Sequence, residues 1–296
     1  SILITSPSVE IILYTQHVVL TRGIALIKGS TAKFTNLLNT YDILLSIDNL
    51  LRLYPMNKRT QCNLCGQGDF NEATDIANIH SNVRKIVKKE FTIWRCPNCR
   101  SLHSLNQINL TPYYNAYPYR SRILDNWTRR VYAGFLQRLK NFGLTKQSNI
   151  FDYGCSDGLF LDYLNENGFE NCNGYDAYVK KYSDKTVLKD GHWDFIIAQD
   201  VIEHVEDPRV LFKKLEQLLK PGGILVIGTP NATEIKLSDK ENYIHSLHQP
   251  YHIHILSEIA LLKLGKESKM ETVNISYRHI TDTPYPFTNW TFYTLT

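Results

Sequence analysis

Four cysteines stand in two C-x-x-C pairs, Cys62 with Cys65 and Cys96 with Cys99. Two such turns can bring four thiolates to one point, the donor set of a tetrahedral zinc ion. Protein then fills every coordination position, so the expected zinc is structural and has no place for a substrate. His103 could replace one sulfur, although the four cysteines suffice. Gly66, directly after Cys65, permits the tight turn a metal knuckle needs. A redox role is disfavoured, because neither pair opens a helix after a strand. Cys155 and Cys172 lie apart and read as buried or loop thiols.

A second group of residues follows a strand-turn-helix rhythm. Asn149-Ile-Phe-Asp152-Tyr is a short apolar strand ending in a carboxylate, and Gly154-Cys155-Ser156-Asp157-Gly158 makes the turn. Leu159 to Asn167 then reads as a helix, with Leu161 and Leu164 on one face and Gly168 as its stop. Such a turn lets a ligand approach bare backbone, and the helix N-terminus favours a negative group. Asn173-Gly-Tyr175-Asp176 is another short strand ending in an acid, and Trp193 to Asp200 a buried-type one. Val201-Ile202-Glu203-His204-Val205 follows, then Asp207 as cap of a helix with Pro208 at its first position. Val210, Leu211, Leu215, Leu218 and Leu219 give that helix an apolar face, Lys220-Pro-Gly-Gly ends it, and Ile224 to Gly228 is the next strand.

This ordered series, residues 149–231, resembles the class I S-adenosylmethionine-dependent methyltransferases. An acid followed by alternating glycines is their first motif, here with Ser156 at the middle glycine, and the Glu203-His204 pair is similar to their fourth. A dehydrogenase would need G-x-G-x-x-G, which Gly154 and Gly158 do not satisfy. The resemblance implies an α/β fold: a Rossmann-like, doubly wound, mostly parallel seven-stranded sheet. It implies S-adenosylmethionine as cofactor, bound by Asp152, Gly154, Cys155, Ser156, Gly158, Asp176, Gln199 and Asp200, with Asp176 on the ribose hydroxyls. The segment between Asp176 and Trp193 has room only for a stunted helix and strand. Asp190 is its nearest candidate for the adenine.

Methyl transfer from a sulfonium is an in-line displacement, and a hydroxyl acceptor must also lose its proton. Histidine suits that task. His204 lies just after the fourth strand, where it serves either as base or as an orienting hydrogen-bond partner. The stretch His248-Gln-Pro-Tyr251-His252-Ile-His254 enters a helix that Ser257 can cap. It resembles the histidine-containing segment that lines the acceptor side in several small-molecule methyltransferases. Extended alternation would point His252 and His254 one way and Tyr251 and Ile253 the other, so His252 and His254 are expected beside the acceptor. A metal site from His248, His252 and His254 finds no supporting carboxylate or cysteine nearby in sequence. Tyr113, Tyr114, Tyr117, Tyr119 and Arg120, with Tyr251, would suit a polyhydroxylated or nucleotide-linked acceptor; otherwise they pack as an aromatic cap.

The elements that must position these groups divide into four stretches. Residues 1–55 form an N-terminal extension of unknown role; Met56, directly before the first cysteine pair, reads equally well as a natural start preceded by non-native sequence. Residues 56–104 form the zinc ribbon and 105–147 a Tyr-rich helical cap, in which Trp127, Val131, Phe135 and Leu139 keep a four-residue step. Residues 148–296 form the cofactor-binding domain, closing with strands at Thr272–Tyr277 and Thr291–Thr296.

The 296 residues are 43% hydrophobic, enough for one sizeable core and a satellite domain. With 33 Lys and Arg against 29 Asp and Glu, the net charge of +4 is too small to imply nucleic acid by itself. The longest apolar stretch, Ile11 to Ile27, is broken by Gln16, His17 and Arg22, so no membrane span is expected. No secretory leader is recognisable, and paired free cysteines favour a reducing compartment, the cytoplasm. A zinc ribbon before this kind of domain resembles enzymes acting on sugars and other small metabolites. The expected acceptor is therefore a small polar molecule such as a sugar or nucleotide sugar. The rival reading is an RNA methyltransferase whose ribbon meets phosphates through Arg84, Lys85, Lys88, Lys89 and Arg95. Against it, no N/D-P-P-Y segment follows the fourth strand. A non-catalytic zinc-ribbon binding module is the third class, opposed by the intact Asp152, Gly154, Gly158 and Asp176.

Overall fold

A computed structural model describes residues 2–6, 9–14, 58–81, 89–106, 108–115 and 123–275. Its strands in chain order are β1 (Ile2–Ser6), β2 (Val9–Tyr14), β3 (Ile76–His80), β4 (Glu90–Arg95), β5 (Leu102–Ser104), β6 (Ile150–Tyr153), β7 (Cys172–Tyr175), β8 (Trp193–Gln199), β9 (Leu219–Gly228), β10 (His254–Ile255) and β11 (Glu271–Ile275). The α-helices are α1 (Thr111–Asn115), α2 (Asn126–Asn141), α3 (Leu159–Glu166), α4 (Pro208–Leu218), α5 (Ile244–Leu247) and α6 (Glu258–Glu267).

Apolar runs with little polar interruption make strands that must be covered on both faces. Alternation then sorts their side chains. Ile150, Phe195, Ile197, Ile224 and Val226 share one buried cluster with Phe135, Leu136 and Leu139 of α2 and Phe160 and Leu164 of α3. Their neighbours Phe151, Ile196, Ala198, Leu225 and Ile227 face the other way, onto Leu211, Phe212 and Leu215 of α4 and Ala260, Leu261 and Leu264 of α6. Helices thus cover both faces, as the doubly wound reading requires. The sheet has seven strands in the order β1-β11-β2-β9-β8-β6-β7. All its pairings are parallel except those of β1, which runs antiparallel to β2 and β11.

Two details differ from expectation. Strand β2, from the N-terminal extension, pairs with β9 from Val9 opposite Gly223 to Tyr14 opposite Gly228, so the seven strands include two from residues 2–14. The strand expected at Thr291–Thr296 lies outside the described residues. After β7, the chain makes two single 3-10 turns, Lys180–Tyr182 and Lys185–Val187, and β7 is left at the sheet edge.

Local signals set the helices. The Asp125 carboxylate accepts the Thr128 N–H at 2.7 Å and starts α2. Asp207 accepts from Arg209 N and Val210 N, and Pro208 opens α4. Leu211, Phe212, Leu215 and Leu218 of α4 are buried, but Val210, expected on the same face, is 66% exposed. The apolar stripe passes through 208, 211, 212, 215 and 218, and position 210 falls off it. Leu219 and the Lys220-Pro-Gly-Gly segment belong to β9, where Leu219 lies opposite Trp193.

The cysteine-bearing segment builds a second sheet, β10-β5-β4-β3, antiparallel throughout. Its closing strand, His254–Ile255, comes from far down the chain and pairs with Leu102 and His103. Ile79, Phe91, Ile93, Leu102 and Ile255 pack there on Ala232, Ile235, Leu237 and Leu247. Among the described residues no helix is long and apolar enough to cross a membrane.

Phe212 and Val210 share one helix, so they give a controlled comparison. Phe212→Ala is expected to cost about 3–5 kcal/mol by urea unfolding. Val210→Ala should stay within about 0.5 kcal/mol. Comparable losses from both would contradict this placement of α4.

Candidate functional site

The four paired cysteines converge. Cys62, Cys65, Cys96 and Cys99 are all buried, and their sulfurs lie within 4.8 Å of one another. Cys62 and Cys99 are 3.6 Å apart at sulfur, as are Cys65 and Cys96. A tetrahedral ion with Zn–S bonds of about 2.3 Å would set such sulfurs about 3.8 Å apart. Each pair forms a knuckle: the Cys65 and Cys99 N–H groups point at the sulfurs of Cys62 and Cys96, and the following residues, Gly66 (φ +74°) and Arg100 (φ +65°), turn left-handed. A side chain at Gly68 would strike the Cys96 sulfur. Hydrogen bonding from Cys62 holds the Cys99 thiol down to about 3, while the same contact and burial push Cys62 up, and burial pushes Cys96 up to about 11. The four residues fit zinc as a closed, structural site.

His103 does not stand in for a cysteine. Its Nε2 lies 3.2 Å from the Cys62 sulfur and its Nδ1 3.0 Å from Nδ1 of His254. His254 in turn meets Arg59, and its Nε2 lies 3.2 Å from the Glu206 carbonyl. The Asn63 amide donates to the same carbonyl at 2.9 Å. The expected partnership of His254 with His252 is thus not what the structure shows. Residues 248–253 form a turn, with Tyr251 N and His252 N both donating to the His248 carbonyl, so strand alternation starts only at His254. His254 faces the ribbon and is fully buried there.

The glycine loop leaves β6 at the carboxyl edge of the sheet. Gly154 and Gly158 both have φ of +82°, and Ser156 has φ of +52°. A Cβ at Gly154 would strike Val201, and one at Gly158 would strike the Tyr182 hydroxyl, so glycine is required twice over at each. Asp176 closes the loop: one carboxylate oxygen accepts the Ser156 N–H at 3.0 Å, the other those of Tyr178 and Val179 at 2.9 and 3.2 Å. That tie was not foreseen from sequence, where Asp176 had only its ligand role. Asp152 lies beneath, 8% exposed, and burial with Asp176 nearby pushes it up to about 7. The Cys155 thiol is likewise pushed up by burial.

Gln199, the last residue of β8, has both side-chain amide atoms buried without a hydrogen-bond partner among the described residues. It occupies the room that Gly228 leaves beside it. Asp200 follows with φ of +51°, its N–H donated to Gly228 O at 2.8 Å. An orphaned amide next to a glycine loop and an acid-ended strand suits a nucleoside bearing an amino-acid group. Asp190, the candidate for the adenine, is turned outward to Lys214 at 2.9 Å.

Beyond β8 the Ile202–His204 turn presents Glu203, fully buried, and His204, half-buried. The His204 and His252 rings are 4.7 Å apart at 77°, and His248 stands 5.2 Å from His252. Burial, aided by His248, pushes His204 down to about 3, and burial lowers His252 as well, so both are neutral near pH 7. Tyr114 lies 3.0 Å from His204 Nδ1, stacks on Tyr178 at 4.1 Å and meets Tyr251 edge-on. The Tyr251 hydroxyl donates to the Tyr113 carbonyl at 3.2 Å. Tyr178 was missed from sequence; its place two positions after Asp176 is the signal. Tyr117, Tyr119 and Arg120 lie outside the described residues.

The methyltransferase-domain family matches residues 124–273. A ubiquinone biosynthesis O-methyltransferase from Dinoroseobacter shibae is 27% identical over 127 residues, covering 36% of this chain and 51% of that protein. One of the same name from Rickettsia typhi is 34% identical over 104 residues, covering 29% of this chain and 42% of that one. The chain therefore spans about half the length of the curated relatives it matches. A methyltransferase structure from Archaeoglobus fulgidus is similar at a TM-score of 0.38 and 21% identity, over 47% of this chain and 68% of that one.

Asp152 gives the site a pH signature. Its folded value of about 7 lies above the ordinary 3.8 of an unfolded chain. Below pH 3.8 both states hold the proton; as pH rises toward 7 only the unfolded state releases it, so stability falls, and above 7 the difference is constant. Asp152→Asn cannot titrate. By denaturant unfolding of the ligand-free protein, it should gain on the wild type across that window, by on the order of 4 kcal/mol at the plateau. A pH-independent difference between the two would contradict the burial argument.

Proposed function

The chain belongs to the methyltransferase-domain family, and on that premise we propose that it transfers a methyl group from S-adenosylmethionine to a small polar acceptor such as a sugar or nucleotide sugar. The observation that carries the donor half is the closed glycine loop. Ser156 N–H on Asp176, with the unpartnered Gln199 amide at the end of β8, frames one crevice at the carboxyl edge of parallel strands. When bound, the cofactor supplies an electrophilic methyl group. The chain's own residues supply the rest. Gly154 and Gly158 keep side chains out of the approach, and Asp176 holds the loop while offering its carboxylate to the ribose.

The acceptor half rests on the wall formed by Tyr114, Tyr178, Tyr251, His204, His248 and His252. Ring faces beside neutral imidazoles suit a molecule with hydroxyl groups, which such imidazoles can orient by hydrogen bonds. The names of the curated relatives, which act in ubiquinone biosynthesis, also support a small-molecule acceptor. The ribbon, with zinc held by its four cysteines, would brace this wall. Free metal-binding thiols accord with a cytoplasmic setting.

Incubation with labelled S-adenosylmethionine and a panel of sugars, nucleotide sugars and RNA tests the acceptor. Label in the sugar fraction supports the proposal, and label confined to RNA overturns it. His252→Ala should lower turnover by roughly 10²–10⁴-fold. Calorimetry should find its S-adenosylhomocysteine affinity nearly unchanged. Asp176→Ala should instead weaken S-adenosylhomocysteine first, roughly tenfold or more, as expected for a lost charge-assisted hydrogen bond. Equal loss of cofactor affinity in His252→Ala would count against its acceptor-side role.

A further inference from the structure

Sequence spacing offered no carboxylate to the histidine stretch, but the fold brings one. Ligand atoms of Glu203, His204 and His252 lie within 4.8 Å of one another. Glu203 is fully buried; its Oε2 accepts the Thr229 hydroxyl at 3.1 Å, while Oε1 has no hydrogen-bond partner among the described residues. Each histidine is already oriented. His204 Nδ1 lies 3.0 Å from the Tyr251 carbonyl, and His252 Nδ1 lies 2.6 Å from the Ser246 carbonyl. A carbonyl can only accept, so each Nδ1 carries the proton and each Nε2 keeps its lone pair. Imidazoles held in this way by carbonyls are the usual arrangement around a bound metal.

We propose that Glu203, His204 and His252 form a second metal site, for a first-row divalent transition ion, distinct from the four-cysteine site. Two imidazole nitrogens and one carboxylate are a donor set for such ions and not for hard magnesium or calcium. An ion about 2.1 Å from each donor asks each of the three to shift inward by less than about 1 Å. The ion also answers an electrostatic problem. Among the described residues no Lys or Arg hydrogen-bonds to Glu203, and Asp200 adds a second negative charge nearby. Three protein ligands leave open positions for oxygen atoms of the acceptor. Only that last assignment rests on the methyltransferase reading.

Titration of the full-length, zinc-loaded protein with manganese(II), followed by calorimetry and electron paramagnetic resonance, tests the site. One manganese per chain should bind in addition to the ribbon zinc. Glu203→Gln and His252→Ala should each weaken it roughly tenfold or more. Zinc content and S-adenosylhomocysteine affinity should be retained in both variants, which certifies their folding. If Glu203→Gln does not fold, His252→Ala decides alone. Absence of manganese binding to the wild type, or unchanged affinity in the folded variants, overturns the site. Failure of the wild type to bind S-adenosylhomocysteine would instead overturn the proposed function and leave the metal result to stand on its own.

Discussion

The pairing of His254–Ile255 with Leu102–His103 fixes two things at once. On one side it completes the small antiparallel sheet above the cysteine cluster. On the other it anchors the turn that carries His248, Tyr251 and His252. Ribbon position and histidine position are therefore one constraint. Further bonds tighten it: Ile253 N donates to Glu203 O, Ser104 N to Ile253 O, and Arg209 and Lys263 to carbonyls within the first knuckle. Displacing the knuckles would move the loop that presents Glu203 and His204, because Asn63 and Arg59 both donate to Glu206 O.

Charge gives the crevice its second organising rule. Asp152, Asp176, Asp200 and Glu203 all stand at or just after the carboxyl ends of β6, β7 and β8. Four acids thus share one edge of the sheet. Burial together with neighbouring carboxylates raises both Asp152 and Glu203. Such an edge rewards positive partners. A sulfonium cofactor on the glycine-loop side and a divalent ion on the histidine side would relieve the same repulsion at two points.

The parts legible in the sequence were those whose chemistry is local. A C-x-x-C turn, a glycine loop with positive φ and the Asp207–Pro208 cap each specify geometry within a few residues, and each was found as read. The alternating buried strands were legible for the same reason. What failed depended on distant chain. His254 was assigned by strand alternation, but the His248–Ile253 turn breaks that period before it starts. Val210 looked like core by type, and only the helix's rotation relative to the sheet exposes it. Glu203 was visible as half of a Glu-His pair, but its burial and unpartnered oxygen come from Thr229 and the loop at 252, which no local pattern announces.

Arg95 bears on whether the ribbon is a detachable module. It lies on β4 in the basic stretch that sequence alone offered to phosphates, yet it is 4% exposed. Its guanidinium donates to the carbonyls of Arg100, Ala232 and Ile235 and pairs with Asp75 at 3.5 Å. Ala232 and Ile235 belong to the loop that follows β9, beyond the carboxyl end of that strand. A buried arginine satisfied by another segment's backbone cannot also serve a nucleic-acid backbone without unfolding that contact, and leaving it unpaired would be costly. Trp94 beside it is also fully buried, with its indole N–H donated to the Arg59 carbonyl at 3.1 Å. Arg95 and Trp94 therefore belong to the joint between the two sheets, while Arg84, Lys85 and Lys88 of the same basic stretch lie outside the described residues.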